Sequence, residues 1–374
     1  MHAENLQLLI DGKQAFPEII RQIDNAKRTI YINMFIWRDD NIGRAIASAV
    51  LNAANRGVKV SISVDKYGAV LEKSEECKRS LFHKRLTPIE WYKVRALERI
   101  YPTPNTTAAK KDECDELYYS LTEHPNIKIE KDVFKADHSK YYVFDDEVLI
   151  MGGINIEDKE NGADMHDRVY QDYMLKLCGR DYVDALYAKL NTGNDVLENI
   201  TFGANTKSPY PTRFEMRGKY IQLINEAKAD LTIVMAYFSP CRDFLKAISA
   251  AAARGVNVTI LIPQRANFQD DSNKRTMSKL MKLTGGKINI YLCPKMLHTK
   301  AMISDSVITL GSTNINKKAF KQLSELNIFI KNEDTIRTAL ITSVQENIAL
   351  SQRIDFPEQL RYNKFNAICE GMLM

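Results

Sequence analysis

What the chain lacks narrows it first. Its six cysteines, at 77, 114, 178, 241, 293 and 369, form no Cys-x-x-Cys pair. That argues against a zinc ribbon or a thioredoxin-type motif and for free thiols in a reducing compartment. The opening residues, Met1-His2-Ala3-Glu4-Asn5, carry no basic stretch followed by an apolar core. Neither a signal peptide nor a mitochondrial presequence is therefore expected. No apolar run approaches the roughly 18 residues of a spanning helix, so any membrane would be met from its surface. A strong charge of one sign is missing too: 52 Lys+Arg stand against 47 Asp+Glu, net +5. That balance is compatible with anionic lipid or nucleic acid and selects neither. With 45% hydrophobic and 26% charged residues, the chain is neither disordered nor a small disulfide scaffold. Its 374 residues suggest two or three domains at about 150 residues each.

What is present is a repeat. Residues 26–64 and 227–262 share one pattern: an apolar strand-like run, an Ala-rich helical run, Arg-Gly-Val, and a second strand-like run. β-Branched and aromatic enrichment predicts strands over Thr29–Ile36, Val58–Val64, Leu231–Phe238 and Val256–Ile262. Helices near 42–55 and 243–254 end at Gly57 and Gly255, where a left-handed residue closes many helices. Strand-helix-strand at this spacing is a βαβ unit, and near-continuous apolar strands fit a sheet covered on both faces. The expected fold class is α/β, two pseudo-symmetric α-β-α halves with mixed, mostly parallel sheets and one active site between them. The halves are placed at 1–195 and 205–374, joined by a Gly/Asn/Pro-bearing connector near 192–212.

The halves differ in length. Gly57 to His138 is 81 residues, whereas Gly255 to His298 is 43, so the first half carries an insertion within 67–123. Between 73 and 99 it holds eight Lys/Arg against four Glu, beside Leu81, Phe82, Ile89, Trp91, Tyr92, Ile100 and Tyr101. Such a segment is either a helical insert packed on the sheet with a solvated charged face or a surface that lies on anionic lipid.

The decisive feature is a duplicated motif. His138-Ser139-Lys140, four residues, then Asp145 is followed by Gly152-Gly153-Ile154-Asn155. His298-Thr299-Lys300, four residues, then Asp305 is followed by Gly311-Ser312-Thr313-Asn314. In a strand, residues i and i+2 share a face, so each His–Lys pair points one way. Halves packed about a pseudo-two-fold axis would bring the two pairs to one pocket. Two imidazoles can serve as nucleophile and general acid. Two ammonium groups and the carboxamides of Asn155 and Asn314 can surround an anion whose charge grows in the transition state. These parts suffice to displace an alkoxide from a phosphodiester through a phosphohistidine, with neither metal nor other cofactor, if the histidines flank the phosphorus in line.

A catalytic imidazole needs its second nitrogen held. Glu325, 11 residues after Asn314, is expected to orient His298, and Asp172, 17 residues after Asn155, to orient His138. A solvated strand end is an equal reading for Asp172. Asp145 and Asp305 read as structural supports at the strand turn, and Ser312 offers a hydroxyl where the first motif has Gly153. The second motif is also one residue shorter between Asp305 and Gly311 than the first between Asp145 and Gly152, which leaves the place of Asn314 open.

On these motifs the sequence resembles the phospholipase D superfamily, with both HKD motifs in one chain. Within it, the sequence is most similar to the bacterial cardiolipin synthases. Less specific phrases carry that second likeness: Phe35-Ile36-Trp37-Arg38-Asp39-Asp40-Asn41-Ile42-Gly43, Asp65-Lys66-Tyr67-Gly68, Gly152-Gly153-Ile154-Asn155-Ile156 and Tyr237-Phe238-Ser239-Pro240. The resemblance implies metal-independent transfer of a phosphatidyl group to an alcohol, commonly between two phosphatidylglycerol molecules. By the same resemblance His138 would attack and His298 would be the acid/base. The implied partner is a phospholipid at an anionic membrane surface, met by a cytoplasmic protein peripheral at the inner face of the cell membrane. Hydrolysis to phosphatidic acid and nucleic-acid cleavage are the alternatives, although the charge balance predicts no basic groove. No partner protein is identifiable.

Overall fold

In the computed structural model, residues 5–75, 78–101, 112–331 and 333–373 are described. Residues Met1–Glu4, Cys77 and part of the insertion lie outside them, as does the side chain of Cys114. Cys178, Cys241, Cys293 and Cys369 are free thiols. The chain divides into two compact units, residues 1–186 and 187–374. Among the described residues no helix is long and apolar enough to cross a membrane.

The first unit runs β1 (Leu6–Ile10), α1 (Asp11–Asn25), β2 (Thr29–Met34), α2 (Asn41–Asn55), β3 (Lys59–Val64), α3 (Gly68–Ser74), α4 (Pro88–Ile100), α5 (Asp112–Thr122), β4 (Ile127–Glu130), β5 (Lys140–Phe144), β6 (Val148–Gly152), β7 (Tyr170–Gln171), β8 (Tyr173–Cys178) and α6 (Arg180–Thr192), which contains the division. Its seven-stranded sheet has the order β1-β8-β6-β5-β2-β3-β4.

The second unit runs β9 (Ile200–Thr206), β10 (Arg213–Phe214), α7 (Met216–Glu226), β11 (Asp230–Met235), β12 (Phe238–Ser239), α8 (Arg242–Ala253), β13 (Asn257–Pro263), α9 (Asp270–Thr284), β14 (Ile288–Cys293), β15 (Met296–Leu297), β16 (Lys300–Ser304), β17 (Val307–Gly311), β18 (Ile315–Asn316), α10 (Lys317–Lys321), β19 (Glu325–Lys331), α11 (Asp334–Leu350), β20 (Gln352–Ile354) and α12 (Lys364–Leu373). Its sheet order is β10-β9-β19-β17-β16-β11-β13-β14-β20. Removing the two edge strands β10 and β20 leaves the strand sequence of the first unit, so one topology is built twice.

The expected preponderance of parallel pairs is corrected. In the first sheet β2, β3 and β4 run parallel, whereas the β1–β8, β6–β8, β5–β6 and β2–β5 pairs are antiparallel. The second sheet repeats this around parallel β11, β13 and β14. The cause is local. Parallel pairing needs a crossover helix, which the βαβ segments supply. The motif strands β5–β6 and β16–β17 are instead joined by tight hairpins, which can only pair antiparallel.

The helices form for reasons visible in the sequence. Asp40 caps α2, its carboxylate accepting the Gly43 N–H at 2.9 Å. Ile46, Ala47, Val50, Ala53 and Ala54 make one buried stripe on that helix. Gly57 and Gly255 close α2 and α8 at φ +96° and +90°, a backbone that strains residues bearing a Cβ. Every residue of β5 and of β16 is buried, so both faces of each sheet are covered at the motif. The strand before each α2-type helix is shorter than its apolar run. β2 stops at Met34 and β11 at Met235, yet Trp37 and Phe238 beyond them are fully buried. There the chain makes short parallel contacts, Trp37 with Ile156 and β12 with β18. In the insertion, Leu81 and Phe82 join the core while Ile89, Trp91, Tyr92 and Ile100 stay exposed. The segment thus packs one side into the core and leaves apolar side chains exposed on the other.

Candidate active site

In the first unit, β5 lies beside β2 near the middle of the sheet and delivers His138 and Lys140, both buried. Lys140 Nζ donates to the His138 carbonyl and sits 5.1 Å from the Phe35 ring centroid. Phe35 meets the His138 imidazole edge to face at 4.8 Å, which fixes one side of that ring. The strap before β5 is pinned by two side chains that sequence reasoning did not assign. Asn33 Nδ2 donates to the Ser139 carbonyl (3.1 Å), the Ser139 hydroxyl (3.0 Å) and Asp137 (3.2 Å). The Asp65 carboxylate accepts the N–H groups of Tyr67 (2.9 Å), Lys135 (3.2 Å) and Asp137. Burial raises the Asp65 carboxyl to about 6, against the pull of those donors, and the neighbouring Asp137 charge adds to the rise. Its signal was the Asp-x-x-Gly phrase at 65–68.

The second motif repeats the arrangement on β16. His298 and Lys300 are buried, and Lys300 Nζ donates to the His298 carbonyl. Here Tyr237 stands edge to face against His298 at 6.2 Å, its hydroxyl donating to Asn267 Oδ1 at 2.6 Å.

Pairing registers make the equivalence of the halves quantitative. Lys140 pairs with Gly152 across β5–β6, and Gly152 with Met174 across β6–β8. On the other side Ala301 pairs with Leu310, and Gly311 with Asn327. Lys140 therefore corresponds to Lys300, Gly152 to Gly311, and, two residues before Met174 and Asn327, Asp172 to Glu325. The different spacings from the motif asparagines, 17 and 11 residues, reflect a longer loop and not a different position. The missing residue between Asp305 and Gly311 is absorbed in the hairpin: three residues, 145–147, separate paired Phe144 and Val148, while only 305 and 306 separate β16 from β17. Asn314 is thus not displaced relative to Asn155.

Asp145 and Asp305 sit at these hairpins. Asp145 accepts the N–H groups of Lys27, Arg28 and Thr29 at 2.8, 2.7 and 2.8 Å. Asp305 accepts those of Lys228, Ala229 and Asp230 at 2.6, 3.0 and 2.6 Å. Each ties the motif hairpin to the start of the central parallel strand. Partial burial raises either carboxyl, but the three donors outweigh it and hold both below the ordinary carboxylate range.

The acidic pair differs in its support. Ser312 Oγ donates to Glu325 and accepts the Leu326 N–H at 3.0 Å. In the first half the space is taken by Asp172 itself: a Cβ on Gly153 would lie 2.2 Å from its Oδ2. The shorter acid thus fits against glycine, and the longer acid is met by a serine hydroxyl. Asp172 also accepts the Tyr173 N–H at 2.8 Å.

Asn155 and Asn314 are buried just past the β2 and β11 ends. Asn155 Nδ2 donates to Glu157 at 3.2 Å. Glu157 is held by Arg38 (2.6 Å) and Lys159 (3.3 Å), and both cations reach Glu75, at 3.1 and 2.9 Å. Arg38 also donates to the Glu72 and Glu75 carbonyls at 2.9 Å each. This buried ionic cluster bolts the start of the insertion to the first motif. It was not legible because its bonded pairs lie up to 119 residues apart. The second half uses neutral groups instead: Tyr220 donates to the Thr313 carbonyl at 3.0 Å, and Asn327 joins Tyr220 to the Thr313 N–H. Burial pushes the Tyr220 phenol well up, so it stays a neutral donor. Among the described residues the carboxamide oxygens of Asn155 and Asn314 are buried without a hydrogen-bond partner. These are two acceptor atoms left unmet at equivalent places in the two halves, each at a cost of about 1–3 kcal/mol.

One topology twice over, each copy presenting His, Lys and Asn at matching positions, defines a duplicated phospholipase D-type (PLD-type) fold. Solved structures agree on the fold. A phosphatidylserine synthase from Haemophilus influenzae superposes with a TM-score of 0.71 at 15% identity, covering 99% of this chain and 92% of that one. A polyphosphate kinase from Porphyromonas gingivalis reaches 0.57 at 12% identity, covering 96% and 50%. The family model for the cardiolipin synthase, PLD-like domain matches residues 19–167 and 220–346, and the chain belongs to that family. Curated relatives include a cardiolipin synthase of Clostridium perfringens, 26% identical over 88% of this chain and 67% of its own length. A cardiolipin synthase B of Shigella flexneri is 26% identical over 87% and 76%.

Proposed function

We propose that the protein is a phosphatidyltransferase of the cardiolipin synthase type, acting on phosphatidylglycerol or a related phospholipid at an anionic membrane surface on the inner face of the cell membrane. The observation that carries this reading is the duplicated, register-matched His-x-Lys and Asn set in a chain of this family. The two sets act on one phosphodiester. A ring nitrogen of His138 attacks phosphorus, and the bond from phosphorus to the glycerol headgroup oxygen breaks. His298, protonated, gives its proton to that oxygen, and glycerol leaves. The hydroxyl of a second phosphatidylglycerol then gives its proton to His298 and attacks phosphorus. The phosphorus–nitrogen bond breaks, which frees His138 and completes cardiolipin. Lys140, Lys300, Asn155 and Asn314 hold the phosphoryl oxygens as charge grows on them. Asp172 and Glu325 act as positioning residues for the motif imidazoles. Asp145, Asp305 and Ser312 support them.

Phosphatidylglycerol vesicles incubated with the protein and a chelator test the reading. Mass spectrometry should find cardiolipin and released glycerol. Phosphatidic acid as the sole product would make water the acceptor and end the transferase reading.

A further inference from the structure

Helix α4 carries its apolar residues on the wrong side for a core helix. Val94 is fully buried, but Ile89, Tyr92 and Ile100, at spacings of three and eight, are 70%, 77% and 40% exposed. They form one stripe with Ala96. The two acids of the helix are turned away from it. Glu90 closes the capping box with Thr87, and Glu98 pairs with Lys78 at 2.8 Å and Arg95 at 3.2 Å. Lys93 and Arg99, exposed at the stripe's margins, are left to face solvent. An apolar stripe edged by cations, with the acids withdrawn, complements an anionic lipid surface and not a protein groove.

The stripe is also continuous with the first motif. Lys93 Nζ lies 5.6 Å from the Phe134 ring, and Phe134 is itself half exposed. Phe134 meets Tyr67 at 5.1 Å, Tyr67 meets Phe35 at 5.9 Å, and Phe35 meets His138 at 4.8 Å. A run of rings thus leads from the exposed stripe to the motif histidine.

We propose that the outer face of α4, with the adjoining Phe134 edge, is the surface by which this protein docks on an anionic phospholipid bilayer. Ile89, Tyr92 and Ile100 enter the boundary between headgroups and acyl chains, and Lys93 and Arg99 meet headgroup phosphates. This rests on the phospholipid reading above and adds the surface that brings the enzyme to it.

Sedimentation with vesicles of phosphatidylglycerol and phosphatidylethanolamine tests it on the full chain. The variant Ile89→Ser/Tyr92→Ser/Ile100→Ser should partition at least tenfold more weakly than the wild type. Lys93→Glu/Arg99→Glu should lose binding on phosphatidylglycerol vesicles and leave the residual binding on phosphatidylcholine vesicles unchanged. All these side chains are exposed, so both variants should keep the wild-type circular dichroism and melting temperature. Partitioning of both variants equal to the wild type would overturn the proposal. So would wild-type binding that is no stronger on phosphatidylglycerol than on phosphatidylcholine. Sedimentation needs no turnover, so a wild type that docks through α4 yet forms no lipid product would count against the catalytic reading and not against the surface.

Discussion

Replacing Gly153 by Ala probes the fit between the first motif and its acid. The new Cβ would stand 2.2 Å from Asp172 Oδ2 and 2.7 Å from its carboxyl carbon. Clearing that overlap moves the carboxylate by about 1 Å, away from the Tyr173 N–H that it now binds. The lost charge-assisted hydrogen bond costs about 1.5–3 kcal/mol. Overpacking of the buried site adds about 1–3 kcal/mol. A melting temperature lower by roughly 5–15 °C should result. On the proposed role of Asp172 as a positioning residue, the same shift should lower cardiolipin formation on the order of 100-fold. The second half supplies the rescue. Gly153→Ser combined with Asp172→Glu copies the Ser312–Glu325 pair into the first half, and should recover at least tenfold of the loss. Thermal unfolding and product formation are measured together. Wild-type turnover and stability in Gly153→Ala would refute the steric argument. A double variant no better than the single one would refute the equivalence of Asp172 and Glu325.

Three further outcomes follow from the same contacts. Arg38→Met leaves Glu157 and Glu75 short of their buried cation, so stability should fall by about 3–5 kcal/mol in denaturant titration. Addition of Glu157→Gln should restore part of it. Asp305→Ala should cost about 1 kcal/mol, since three N–H groups at a partly exposed strand start lose their acceptor. Asp145 and Asp305 also impose a pH dependence: their folded carboxyls titrate below the unfolded value of 3.8. Their contribution is fully present above that value and disappears as pH falls through the lower folded range. The wild type should therefore destabilise more steeply on acidification below about pH 4 than the Asp145→Asn/Asp305→Asn variant, and equal slopes would contradict the cages.

The legible part of the molecule was whatever repeats. The βαβ pattern, Gly57 and Gly255, and the His-x-Lys spacing needed only local geometry, because i and i+2 in a strand and a glycine after a helix are fixed by the backbone. Asp172 was harder. Its distance from Asn155 differs from that of Glu325 from Asn314, and only the β6–β8 and β17–β19 registers show the two acids to be equivalent. The antiparallel majority of strands was hidden in the hairpins at 145–147 and 305–306, which the βαβ pattern does not cover. Arg38, Glu75, Glu157 and Lys159 meet through the tertiary fold alone, and no period in the sequence links them. Asn33, Tyr220 and Asn327 meet partners about 14 to 107 residues away, and nothing local to any of them signals the partner. The exposed stripe of α4 was half legible: its composition showed basic and aromatic residues, but only the helix phase separates Val94 inside from Ile89 and Tyr92 outside.

The central claim is that a histidine of the duplicated motif carries the phosphatidyl group. Acid-stable trapping is not available for a phosphohistidine, so the direct measurement is mass spectrometry of peptides from an alkaline quench of His298→Ala after mixing with phosphatidyl-p-nitrophenol, whose phenolate leaves without a proton from His298. Lacking the group that deprotonates the acceptor, this variant should accumulate a phosphatidyl adduct on the peptide bearing His138, and His138→Ala should accumulate none. Turnover by either variant at the wild-type rate, with no adduct on any histidine, would contradict the account.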